Sequence, residues 1–329
     1  MARSPLTLAA LATSAVAGLD VVGTQAFGSP GGDFDSAILT GRDGRHWLVR
    51  VPRSERAEQE QSADLIALRA LSTGVRARLP FEVSTFAGQV AVDGTRAIVS
   101  EFVYGSKVSL AEMTPGLAAS IGAAIAAIHA LPPNLVIDAG LPSSTPVEML
   151  RSVAKLMDQA AATGLVPPAL LMRWEAAAED ATLWQFTPVV VNGTLASDSF
   201  LSANDAVTGV LGWHGLRVGD PASDLQWIAG AGDEELADAA FSAYSAARGA
   251  VDRKLRTRAS LLSELEVARW LLHGAETRST EIVDDAVAML SALVDDVQKD
   301  LMSPLSQPRT GPLGLDDVEA LLDRTSQVR

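Results

Sequence analysis

The chain has 329 residues, 48% of them hydrophobic and 20% charged, which is enough apolar material for about two domains and too much for a disordered chain. It has no Cys, which excludes disulfide scaffolds, thiolate metal sites and Cys nucleophiles and fits a reducing, cytoplasmic setting. With 26 Lys+Arg against 40 Asp+Glu the net charge is −14, which excludes the electrostatic footprint of a general nucleic-acid binder.

Residues 3–18 have two readings: a short signal peptide with a small-residue cleavage site, or a helix with Ser4 as N-cap and Pro5 at its first turn. The helix is the better fit, with Leu6, Leu8, Leu11, Val16 and Leu19 as its apolar face, because Thr7, Thr13 and Ser14 interrupt a signal core. No run of about 18 apolar residues exists, so no membrane-spanning helix is expected.

Residues 22–103 read as a small antiparallel sheet carrying one helix. DSAILTG (35–41) and HWLVRV (46–51) flank RDGR, whose Asp-Gly marks a hairpin turn. Residues 55–72 are helical, acidic at the start, with Leu65, Ile66, Leu68 and Leu71 directed inward. PFEVSTFAG, QVAVDG and RAIVSEF are expected as three further strands.

Beyond Tyr104-Gly105 the pattern becomes Ala/Leu-rich and helical at 109–131, 145–163 and 167–182. A β island spans 187–213, and helices resume at 221–229, 232–248, 251–274 and 279–302. SPLSQPRTGPL (303–313) has linker composition, and residues 314–325 are expected as a tail helix. The division is therefore 1–103 as an N-lobe, 104–302 as a helical C-lobe, and 303–329 as linker and tail. The cleft between lobes is the default ligand site. The four His residues have no metal-ligand spacing.

Residues 189–225, VVVNGTLASDSFLSANDAVTGVLGWHGLRVGDPASDL, resemble the aminoglycoside/macrolide phosphotransferase family, relatives of choline kinase on the protein-kinase-like fold. The family pattern is H-G-D-L-x-x-x-N, a strand, I-D-W, then G-D-P-x-x-D-L. Gly193, Leu195, Leu201, Trp213, Gly219, Asp220, Pro221, Asp224 and Leu225 match in order and spacing. GGDFDSAIL (31–39), HWLVRVPRS (46–54) and IAAIHALP (125–132) resemble further family segments, so the likeness covers about residues 4–302. The resemblance implies an α+β, bilobal fold with an antiparallel-sheet N-lobe and a mainly helical C-lobe. It implies ATP or GTP as the nucleotide and Mg²⁺ as its metal.

The family's chemistry needs a carboxylate for the acceptor hydroxyl, an Asn and an Asp for Mg²⁺, and a cation for the phosphates. The catalytic Asp falls on Thr194, the preceding His on Asn192, the metal-binding Asn on Ser199 and the metal-binding Asp on Gly212. A hydroxyl without a base accepts no proton at neutral pH, and glycine offers Mg²⁺ nothing. The phosphate cation falls on Arg50, because the first Lys of the chain is Lys107. Its helix carboxylate matches Asp64, with Glu60 as the rival. Glu101 and Val103 fall in the nucleotide-binding hinge. Asp198 lies four positions after Thr194 and points away from that role. Asp220, before Pro221, is an expected N-cap, and with Asp224 it is expected to brace the loop. Trp213 is expected in the core. His214 is either a plain loop residue or a pH-sensitive contact.

Three readings follow. The first is a pseudokinase, binding or regulatory, that holds ATP or GTP weakly and without Mg²⁺. The second is an active small-molecule kinase using unusual residues. The third is a sequestering protein whose acidic cleft takes a cationic or macrolide-like ligand. The partner is a small molecule or another protein; neither nucleic acid nor membrane is expected.

Overall fold

The computed structural model describes residues 3–28, 31–249 and 252–302; the expected linker and tail helix at 303–329 lie outside the described residues. In chain order the elements are α1 (Pro5–Ala15), β1 (Val21–Phe27), β2 (Phe34–Gly41), β3 (His46–Pro52), α2 (Glu55–Ala70), α3 (Thr73–Arg76), β4 (Phe86–Val92), β5 (Thr95–Glu101) and β6 (Ser106–Lys107). There follow α4 (Pro115–His129), α5 (Asn134–Asp138), α6 (Pro146–Ala162), α7 (Pro168–Glu179), β7 (Val189–Val191), β8 (Phe200–Ala203), β9 (Ala206–Val210) and β10 (Arg217–Gly219). The chain closes with α8 (Gln226–Ala229), α9 (Glu234–Arg248), α10 (Leu255–Thr277) and α11 (Thr280–Met302).

The residues form two compact units. The first comprises Met1–Leu156 with Ala176–Glu266; the second comprises Met157–Glu175 with the chain from Val267 onward. Every residue considered below belongs to the first unit.

Its N-terminal part is a five-stranded antiparallel sheet of order β1-β2-β3-β5-β4. The period-2 alternation of β2 and β3 sends Ala37, Leu39, Trp47, Val49 and Val51 to one face, where they pack with Leu8 and Ala12 of α1. The N-terminal segment is thus a core helix, capped by the Ser4 hydroxyl on the Thr7 amide. Its buried face is Leu8 and Ala12, whereas Leu6, expected inward, is 74% exposed. The register Ser36↔Arg50 and Ile38↔Leu48 turns Arg50 to the opposite face of the sheet.

Two local expectations change. Ile66 points outward from α2 while Leu65 and Leu68 are buried, because the inward stripe is narrower than the run of apolar residues. The three strands expected over 80–102 are two, β4 and β5; residues 80–85 instead join a single bridge at Glu82 to Gly209. Arg76 closes α2 by donating to the Leu71 and Leu68 carbonyls.

The C-terminal part centres on α4, which packs along α9. The β island is two small sheets, β10-β7 and β6-β8-β9. The strand β10 had no expectation attached to it; three residues leave too short a pattern.

Candidate active site

The loop after β7 carries residues 192–199, and the loop after β9 carries 211–216. A buried polar frame locks them together. The Asp224 carboxylate accepts the Gly193 amide at 2.7 Å and the Asn192 amide at 2.8 Å. It also meets His129 Nε2 at 3.2 Å, and His129 Nδ1 meets the Tyr244 hydroxyl at 2.9 Å. Burial, with Asp224 nearby, pushes the Tyr244 hydroxyl up to about 12, so it remains a neutral partner. Asp220 caps the following 3₁₀ turn through the Ala222 amide. It also receives two hydrogen bonds from the fully buried Arg258, at 2.8 and 3.0 Å. Asp220 and Asp224 therefore brace the loop, as the resemblance implied, and Asp220 is the N-cap expected before Pro221. The roles of Tyr244 and Arg258 had no short-range signal, since each lies on a distant helix. His129 was visible in the IAAIHALP segment at the end of α4, without a partner assigned to it.

On this frame Asn192 is a bridge. Its Nδ2 donates to the Gly212 carbonyl at 2.9 Å, and its Oδ1 accepts from the Thr194 amide and hydroxyl at 3.2 and 3.1 Å. The Thr194 hydroxyl thus acts as a brace inside its own loop. Ser199 Oγ accepts the Ala196 amide at 3.1 Å, an N-cap-like use of the hydroxyl. Asp198 is exposed and pairs with Lys107 at 3.3 Å. Gly193, at φ +87, sits where the Arg217 side chain reaches across to its carbonyl, leaving no room for a Cβ.

The sheet and α2 supply the other wall. Asp64 accepts the Trp213 amide at 2.6 Å, which ties α2 to the residue after Gly212. Burial pushes the Asp64 carboxyl up, opposed by that amide and by the charges of Arg50 and His214. Burial lowers the Arg50 guanidinium, and Asp64 first and Glu60 second counter it. The Arg50 guanidinium carbon lies 3.7 Å above the Phe34 ring centre. Glu60 is engaged by Arg56 at 3.1 Å. Asp64 thus ties α2 to the loop, while Glu60 is taken up by Arg56. Trp213 is in the core, 1% exposed. At the strand end Glu101 pairs with Arg45, and Val103 is buried against the position of Gly209.

Gly212 has φ +70, and a Cβ built on it meets nothing within 4 Å. Position 212, where the resemblance puts the metal-binding Asp, has room for a side chain. Ser199 offers one neutral oxygen, and among the described residues no three His, Asp or Glu side chains converge to hold a metal. These residues do not fit a Mg²⁺ ion anchored by the protein.

Comparison with known proteins now bears on this frame. The sequence profile of the phosphotransferase enzyme family matches residues 27–271. The chain belongs to that family. Three solved structures illustrate the fold of this phosphotransferase-family chain. Macrolide 2'-phosphotransferase MphH from Brachybacterium faecium, as apoenzyme, is 22% identical with a TM-score of 0.72, covering 87% of this chain and 98% of that one. A macrolide 2'-phosphotransferase type I is 26% identical with a TM-score of 0.68, covering 88% and 98%. The GDP and kanamycin complex of APH(2")-IIIa is 17% identical with a TM-score of 0.69, covering 91% and 100%. A search of curated proteins gave no significant match. The α+β, protein-kinase-like fold expected from the motifs is the fold of this chain. Among the described residues no helix is long and apolar enough to cross a membrane.

Proposed function

We propose that this phosphotransferase-family protein is a pseudokinase: it keeps the family frame and binds a ligand without transferring phosphate at a useful rate. The observation that carries the reading is the engagement of Thr194. The residue at the catalytic-base position spends its hydroxyl on Asn192 Oδ1 at 3.1 Å and has no carboxylate to take a proton. The open position at Gly212 points the same way, because phosphoryl transfer depends on charge neutralisation by an anchored metal. ATP or GTP is the expected nucleotide, since relatives of this fold are seen with GDP and with ATP. The biological partner is a small molecule or a protein that reads the occupied state, in the cytoplasm.

The test is turnover of ATP and GTP by the unmodified protein against aminoglycosides, macrolides and amino-alcohols. No product above the uncatalysed background supports the reading; robust turnover overturns it. One observation favours the second reading, an active small-molecule kinase. The Asp224 clamp on the loop and the tie from Asp64 to the Trp213 amide are both made, and an ordered loop is what an active enzyme needs.

A further inference from the structure

The sheet has a recess on the face that α1 covers, opposite to the face of Arg50. A cavity of about 560 Å³ lies where the end of α1 meets the β2–β3 turn, with Val16, Leu19, Asp20, Arg42, Asp43 and Trp47 among its walls. We infer that this recess binds a small apolar molecule ending in a carboxamide. The ligand carbonyl accepts the Trp47 indole N–H, and the ligand N–H donates to the Asp43 carboxylate. The inference goes beyond the pseudokinase reading and does not rest on it.

The recess has one hydrogen-bond donor left over. Trp47 is 8% exposed, and its Nε1 has no hydrogen-bond partner among the described residues. By contrast, Trp184 and Trp213 give their indole N–H to the Ala177 and Val210 carbonyls, each at 3.0 Å, and Trp270 gives its own to Asp285 at 2.9 Å. An indole nitrogen can only donate, so a buried one without an acceptor is a standing cost that a ligand oxygen relieves.

An acceptor stands beside that donor. A Cβ built on Gly41 would lie 3.4 Å from Trp47 Nε1 and 2.5 Å from Asp43 Oδ1, so the two groups flank one point, and glycine puts no side chain there. Asp43 Oδ1 accepts the Arg45 amide at 3.1 Å, and the carboxylate has no further partner among the described residues. Asp43 is exposed on its turn, so its side chain is free to swing and admit an oxygen to the indole. The neighbouring cations are spent. Arg42 meets Asp20 at 2.5 Å, and Arg45 pairs with Glu101 while its guanidinium carbon lies 4.8 Å from the Trp47 ring centre. What is left for a ligand is one N–H, one carboxylate and the apolar surface of Val16 and Leu19. A carboxamide carries an acceptor and donors side by side and satisfies both. A carboxylate ligand would meet Asp43 with like charge, and an ammonium ligand would leave the indole unpaired.

The test is NMR titration of the ¹⁵N-labelled full-length protein, following its indole N–H cross-peaks, with Trp47→Phe identifying the one that belongs to Trp47. The probes are phenylacetamide, phenylacetate and phenethylammonium, which share a ring and differ in the polar end. Phenylacetamide should move the Trp47 cross-peak and bind more tightly than either of the others. Trp47→Phe keeps an apolar wall without the N–H and should weaken phenylacetamide by about 3–10-fold, the loss of one neutral hydrogen bond. Asp43→Ala should weaken phenylacetamide by about 3–10-fold and abolish the preference for it over phenylacetate, and it carries the test if Trp47→Phe fails to fold. A Trp47 cross-peak that phenylacetamide leaves in place means a bound water only and overturns the inference. Equal affinity for phenylacetamide and phenylacetate in the parent, or unchanged phenylacetamide affinity in Asp43→Ala, overturns it as well.

Discussion

Putting a carboxylate back at position 212 tests both the backbone and the electrostatics of the site. Gly212 has φ +70, a region that costs an ordinary L-residue about 1–2 kcal/mol and costs Asp toward the lower end. Replacing glycine also restricts the unfolded chain, which returns about 0.4–1 kcal/mol. No steric cost is added, because the Cβ position is empty to 4 Å. Gly212→Asp should therefore lower stability by about 1 kcal/mol, a Tm drop of about 2–4 °C by scanning calorimetry. The same carboxylate adds a negative charge to the loop where the proposed nucleotide would lie, and one added unit charge at an effective dielectric of about 20 should weaken ATP binding in EDTA by about tenfold or more. Combined with Thr194→Asp and Ser199→Asn, the variant should bind ATP only with Mg²⁺ present. At 100 times its Kd the nucleotide would then raise stability by about 2.7 kcal/mol. A Tm drop above about 10 °C for Gly212→Asp alone would show that the loop does not accept a side chain there. Unchanged binding in EDTA would refute the electrostatic argument.

The remaining predictions concern the frame. Asp224→Ala leaves the Asn192 and Gly193 amides and His129 without their buried acceptor, and should cost about 3–6 kcal/mol in urea denaturation, against about 1–2 kcal/mol for Tyr244→Phe. Equal losses would mean that Asp224 is not the hub. Arg258→Met strands the buried Asp220 carboxylate and should cost about 3–5 kcal/mol, whereas the double variant Arg258→Met with Asp220→Asn should recover part of it. Additive losses would contradict direct pairing. Asp64 is held above the ordinary carboxylate range by burial, so the folded state binds its proton more tightly than the unfolded chain does. Its contribution to stability is then greatest at low pH and declines as pH rises above about 4. Relative to Asp64→Asn, the parent should lose unfolding free energy between pH 4 and pH 7; the opposite slope would show that Arg50 outweighs burial.

Much of the site was readable because its backbone determinants are local. The G-D-P turn, the glycine at 193 and the spacing of residues 189–225 depend on short-range conformation, and each appears in the structure as the motif implies. The helix at residues 5–15 was readable from its cap, its proline and the polar residues that interrupt a signal core. The choice between Asp64 and Glu60 was open in sequence, since both lie on α2 one turn apart. The structure gives the two different partners: the Trp213 amide, 149 residues away, bonds Asp64, and Arg56 pairs with Glu60.

The sequence by itself determined which atoms the site lacks: no carboxylate at 194 or 212, no amide at 199, no lysine near 50. Side-chain identity is a property of the chain and needs no fold to establish it. Only the tertiary structure decided what the replacements do. Thr194 and Ser199 spend their hydroxyls within the loop, Gly212 leaves room for a Cβ, and Asp64 of α2 takes the Trp213 amide. These outcomes depend on β3, α2 and the loop after β9 meeting in space, and on long-range clamps such as Asp224 to residues 192–193. No periodicity or spacing along the chain encodes such meetings, because their energy comes from burial and hydrogen bonding between segments that only the assembled core brings together.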